Sequence, residues 1–112
     1  THLKSSPDVY FSEDITCVST TVDALVKEKA MGPFNFMNMD LQGAELLALH
    51  GATKTLDVVD AIYTEVNKIQ VYKDCALIGE LDKFLAYFQF RRVETVWAGN
   101  AGWGDSLYVR TN

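Results

Sequence analysis

The chain has 112 residues, 48% of them hydrophobic and 12% aromatic, enough for one buried core and no more. A formal net charge of -5 and a pI near 4.8, with Lys and Arg scattered rather than gathered into a stripe, argue against a phosphate-backbone partner, so no nucleic acid is expected. No apolar run approaches the roughly 20 residues of a bilayer span, and the start T-H-L-K-S-S-P-D lacks a signal-peptide core; no membrane contact is expected and the reading is cytoplasmic.

In chain order, V-Y-F and I-T-C-V predict a loop leading into a strand at about 15–18. A helix follows, capped by Thr20 or Thr21, with Asp23 in its first turn, Val22, Leu25 and Val26 on one side, and Gly32-Pro33 as its stop. Asp23 reads as a structural cap rather than a catalyst. Phe34 to Leu41 is the next strand, and Gly43 permits a tight entry into a helix over about 44–56 that places Leu46, Leu47, Leu49 and Leu56 around a largely buried face.

The run V-V-D-A-I-Y-T-E-V predicts a strand over 59–66, apolar enough to be covered on both faces and ending in Glu65 and Asn67. Asp74 is the expected N-cap of a second amphipathic helix, in which Leu77, Ile78, Leu81, Phe84, Leu85 and Phe88 recur every three or four residues while Glu80, Asp82 and Lys83 face out. Two closing strands, F-R-R-V-E-T-V-W-A and S-L-Y-V-R-T, are joined by the glycine-rich G-N-A-G-W-G-D, which suits an antiparallel hairpin. This order predicts an α/β sheet with parallel strands and an antiparallel strand at one edge.

Cys17 and Cys75 have no C-x-x-C spacing, and His2 and His50 have no ligand spacing with them, so zinc and disulfide frameworks are poorly supported and the thiols read as buried and reduced. His50 reads as a surface or helix-packing residue. Tyr63, Tyr72, Trp97 and Trp103 read as core sooner than as a pocket lining, and Arg91 with Arg92 as an exposed pair that keeps an edge soluble.

The most informative stretch is N-F-M-N-M-D-L-Q-G-A-E, residues 35–45: an apolar strand ends on Asp40 and turns at once into a helix. Open α/β sheets deliver polar side chains to a ligand crevice at the carboxyl ends of their strands in this way. Asp40 is the leading candidate functional residue, and Glu65 and Asn67 share one strand face by the period of two, so with Asp40 they can assemble an oxygen cluster.

With T-T-V-D-A-L, F-N-F-M-N-M-D-L-Q-G-A-E-L-L-A-L-H-G-A, I-Y-T-E-V-N and W-G-D-S-L-Y-V-R in place, the chain resembles the C-terminal half of an FkbM-type methyltransferase domain across almost its whole length. The resemblance implies part of a class I, Rossmann-like sheet, a single domain over 1–112 without the family's glycine-rich cofactor-binding half. It also implies S-adenosylmethionine as cofactor and O-methyl transfer to a hydroxyl of a small molecule or sugar. On that reading Asp40 and Glu65 are catalytic, Asp40, Leu41 and Gln42 contact the cofactor, and Glu45 and Asn67 contact the acceptor. Asp40, Glu65 and Asn67 are also a magnesium-type ligand set, but the resemblance does not require a metal and none is assigned. Glycines 99, 102 and 104 precede a strand at the wrong end of the domain for a cofactor loop.

A non-catalytic α/β remnant or self-associating module is the competing reading. If the strand at 34–41 has an open side, that edge is a template for pairing, and a homo-oligomer or a missing N-terminal half is the expected partner.

Overall fold

The computed structural model of the chain describes residues 19–29, 32, 34–71 and 73–112. The strand expected at 15–18, with Cys17, and the aromatic Tyr72 lie outside the described residues. Four helices, α1 (Val22–Glu28), α2 (Glu45–His50), α3 (Thr53–Leu56) and α4 (Ile78–Tyr87), alternate with β1 (Phe36–Met39), β2 (Ala61–Asn67), β3 (Phe90–Trp97) and β4 (Trp103–Arg110). No helix among the described residues is long and apolar enough to cross a membrane.

The four strands form one sheet in the order β1-β2-β4-β3. β1 pairs parallel with β2, and β4 pairs antiparallel with both β2 and β3. The fold is therefore the expected α/β sheet, with one correction: the antiparallel strand sits inside the sheet, not at its edge. The α4 crossover returns β3 parallel to β2, and the hairpin folds β4 back into the place between them.

Alternation along β2 divides the sheet into two faces. Ile62 and Val66 join Leu49 of α2, Leu56 of α3, Leu81 and Leu85 of α4, Met39, Phe90 and Tyr108 in one core cluster. The opposite face is less covered than the apolar run implied: Tyr63 and Phe36 are exposed there, whereas Glu65 and Asn67, at the end of the strand, are buried.

The single helix expected over 44–56 is two short ones, and of its leucines Leu49 and Leu56 are buried while Leu47 is exposed. Gly51 ends α2, and its carbonyl accepts the Asp23 N–H at 2.9 Å, while a Cβ at Gly51 would come within 2.9 Å of the Thr21 Cβ. The approach of α1 requires a glycine there. Thr21 caps α1 through its hydroxyl, as expected, at 3.0 Å from the Ala24 nitrogen. Asp23 caps a different helix: its carboxylate accepts the N–H groups of Lys54 and Thr55, at 2.8 and 2.9 Å, at the start of α3.

Asp74 is not the N-cap of α4. It lies in a turn at φ 58, and the helix begins after Leu77, whose N–H donates to Glu80 Oε1 at 3.0 Å. Asp82 and Arg92 also depart from expectation. The Arg92 guanidinium makes a two-pronged pair with the Asp82 carboxylate, both contacts at 2.9 Å, and the Tyr108 hydroxyl donates to Asp82 at 2.6 Å. Helix periodicity put Asp82 in water, but a partner ten residues away on β3 reaches it. Burial pushes the Asp82 carboxyl up, and the bonds from Arg92 and Tyr108 outweigh it, holding the group below its ordinary value. At the far end of β4, Arg110 stacks on Phe90 and donates to the Leu56 and Val59 carbonyls, closing α3 against the sheet.

Candidate functional site

Parallel register determines where the carboxylates meet. Met39 of β1 lies opposite Thr64 of β2, so the next residue along, Asp40, emerges beside Glu65 on the same face. On the other flank Asp105 of β4 pairs with Glu65, and one step of two further on Trp103 pairs with Asn67. Asp40, Glu65 and Asp105 thus form a row across the carboxyl end of β2, the place in an open α/β sheet where ligands are held.

Glu45 enters this row from α2. The turn from β1 runs through Gln42 at φ 52 and Gly43 at φ 103, two successive left-handed residues, of which Gly43 takes that conformation without a Cβ penalty. The loop is braced by Glu45, whose Oε2 accepts the Leu41 N–H at 2.7 Å and whose Oε1 accepts the Gly43 N–H at 3.0 Å. The expectation for Glu45 was a dipole-stabilised first-turn carboxylate that contacts the acceptor. Its position as the first residue of α2 agrees, and the structure adds that it holds the loop in place.

The outcome is a triad in which oxygens of Asp40, Glu45 and Glu65 all lie within 4.8 Å of one another. Asp40 is exposed, Glu45 and Glu65 are buried at 3% and 6% exposure, and Asn67 is buried at 1%. Among the described residues the only ion pair, Arg92 with Asp82, is elsewhere, so none of these carboxylates is paired with a described cationic side chain. Burial, together with the negative charges of Glu45, Asp40 and Asp105, pushes the Glu65 carboxyl up from 4.5 to about 7. Two buried acceptors at this end of β2, Glu65 Oε2 and Asn67 Oδ1, have no hydrogen-bond partner.

The candidate residues Asp40, Glu45 and Glu65 are therefore brought together, and Asn67 follows on the same strand face. Leu41 and Gln42 occupy the braced loop beside them, both exposed. A cleft of about 660 Å³ opens on the other side of this loop, lined by Gln42, Gly43, His50, Gln70, Lys73 and Glu80 among others. Sequence reasoning passed over Asp105 and Lys73. Only the β2–β4 register brings Asp105 to Glu65, so no local pattern marked it.

His50 packs edge-on against Phe84, ring centroids 4.5 Å apart, the helix-packing role its position suggested. Trp97 packs on the core with the Lys68 ammonium 4.2 Å over its ring. Cys75 is free and buried.

Comparison with known proteins agrees with this architecture. The family model of the methyltransferase FkbM domain matches residues 2–92. No curated protein and no solved structure matches the chain. The family match takes in α1, the β1–α2 turn with its carboxylates, β2 and α4, and extends into β3. The chain belongs to the FkbM methyltransferase domain family.

Proposed function

We propose that this domain serves S-adenosylmethionine-dependent O-methyl transfer to a hydroxyl of a small molecule or sugar, with Asp40 as the residue that meets the acceptor. The observation that carries the reading is the convergence of Asp40, Glu45 and Glu65 at the carboxyl ends of β1 and β2 in a chain of a methyltransferase family. The donor set fits the cofactor's cationic end, because the site offers acceptors and negative charge and the cofactor carries a sulfonium and an ammonium group. When bound, the cofactor supplies an electrophilic methyl group.

Each residue has a distinct task. Asp40, the exposed carboxylate, orients the acceptor hydroxyl and takes its proton, since in-line displacement at a methyl group chiefly needs alignment and removal of that proton. Glu65, buried behind it, holds Asp40 in place. Leu41 and Gln42 contact the cofactor from the loop that Glu45 keeps in one conformation, and Asn67 supports the acceptor side. The cleft beyond the loop combines an apolar wall with Gln42, Gln70, Lys73 and Glu80, which suits a hydroxylated acceptor.

Titration calorimetry of the chain with S-adenosylhomocysteine tests the reading. Micromolar binding that Asp40→Ala abolishes, with the circular dichroism spectrum unchanged, is the expected result. Absence of binding by the native chain overturns it.

A second reading, a self-associating module, is favoured by one observation. β1 is the outermost strand among the described residues, and Phe36 on it is 52% exposed.

A further inference from the structure

We infer that the carboxyl end of β2 is a binding site for a hard divalent cation, calcium or magnesium, held by the carboxylates of Asp40, Glu45 and Glu65 with the side-chain carbonyl of Asn67 as a further oxygen ligand. The inference is independent of the methyl-transfer reading, because it rests on unpaired oxygens and distances alone.

The first observation is the triad itself, in which an oxygen from each residue lies within 4.8 Å of the others. Oxygens that share one hard cation sit roughly 2.0–2.6 Å from it, so any two of them are separated by no more than roughly 5 Å. The triad meets that requirement, so one ion can be shared by all three carboxylates.

Acidic side chains gather on many surfaces without binding anything, and the second observation separates this cluster from those. Asn67 is a neutral residue, 1% exposed, and its Oδ1 has no hydrogen-bond partner. It stands two residues beyond Glu65 and so leaves β2 on the same face. Glu65 Oε2, itself buried, is likewise unpaired. Buried acceptors are normally satisfied, and two orphaned acceptors on one strand end call for a donor or a cation that is not a protein group. With carboxylates converging on the same place, a cation satisfies both needs at once.

Preorganisation favours the same conclusion. A carboxylate has about four acceptor positions, and the amides of Leu41 and Gly43 use two of those on Glu45, which leaves two free and the group fixed in place. All the ligands are oxygens, with no sulfur or imidazole among them, which selects calcium or magnesium over zinc or copper.

The test uses the whole chain after chelator treatment, titrated with calcium chloride and magnesium chloride by calorimetry and with terbium chloride by sensitised luminescence. Trp103, paired with Asn67 across the β2–β4 ladder, is the built-in sensitiser. Expected is one ion per chain, with affinity falling about tenfold or more in Asp40→Asn and in Glu65→Gln. The exposed Asp40 is the safer variant because its loss leaves the core untouched, and Asp57→Asn, on the surface beyond α3, is expected to bind as the native chain does. Absence of binding at millimolar calcium and at millimolar magnesium overturns the inference, as does binding that survives both Asp40→Asn and Glu65→Gln. A chain that binds S-adenosylhomocysteine but no cation sinks this inference and leaves the methyl-transfer reading standing; binding of the cation alone does the reverse.

Discussion

The Asp23 carboxylate in the first turn of α1 accepts both the backbone N–H of Thr55, at 2.9 Å, and its hydroxyl, at 2.8 Å, so one acidic residue fastens two helices that lie far apart in sequence. With Lys54 and Thr53 also donating, Asp23 serves as the N-cap that α3 lacks on its own preceding residue, Ala52. Asp23→Ala is expected to lower stability by about 1–2 kcal/mol in urea unfolding. Burial raises the Asp23 carboxyl and these hydrogen bonds outweigh it, so its pKa lies below the ordinary 3.8. A lowered value in the folded state means that this stabilisation is full above the ordinary value and is lost as the pH falls below it. Asp23→Ala removes that acid limb from the stability profile; an unchanged limb would exclude Asp23 as its source.

Glu45 braces the turn that presents Asp40. In Glu45→Ala the amides of Leu41 and Gly43 lose their acceptors, and a loss of about 1–3 kcal/mol is expected. Glu45→Gln retains one acceptor oxygen and is expected to fall between the two. Hydrogen exchange at Leu41 and Gly43 reads the effect directly, with both amides faster in Glu45→Ala and only one in Glu45→Gln.

Glu65 makes the chain sensitive to pH in the opposite sense. Its carboxyl is raised from 4.5 to about 7 in the folded chain, so between those values the folded state holds a proton that the unfolded state has released. Stability is therefore full below about pH 4.5 and declines as the pH rises to about 7, by on the order of 3 kcal/mol. Glu65→Gln is expected to flatten this limb in chemical denaturation across pH 4 to 8. A native profile that stays level there would mean that the carboxylates do not crowd as the register implies.

The outer edge of β1 carries Phe36 in water. We expect the chain to self-associate through this edge and Phe36→Glu to shift it toward monomer. Sedimentation velocity over a concentration series checks both, and a native chain that stays monomeric throughout refutes the idea.

Much of the candidate site is legible in the sequence. A strand ending on Asp40 and entering a helix through Gly43 is a local pattern, and so is the alternation that sets Glu65 and Asn67 on one face. What local pattern does not carry is solvent exposure. Strand-end polar groups are ordinarily solvated, yet Glu65 and Asn67 are buried, because β4 and the loop after β1 close on them. Asp82 misled for the same reason in reverse: helix periodicity turned it outward, and Arg92 and Tyr108 from two later strands turned it into the hub of a network. Asp74 resembled an N-cap by residue type, but the helix starts three residues later, where Glu80 reaches back to Leu77.

Composition, periodicity and turn residues by themselves determined the class of the fold, the succession of strands and helices, and the residues that stand at strand ends, since each depends on neighbours within a few positions. The tertiary structure decided three things. It placed β4 between β2 and β3, broke the second helix at Gly51 where α1 crosses, and brought Asp40, Glu45 and Glu65 within 4.8 Å of one another. Each of these joins residues from separate elements, so its energy comes from register and packing between segments, and no local stretch of sequence contains it.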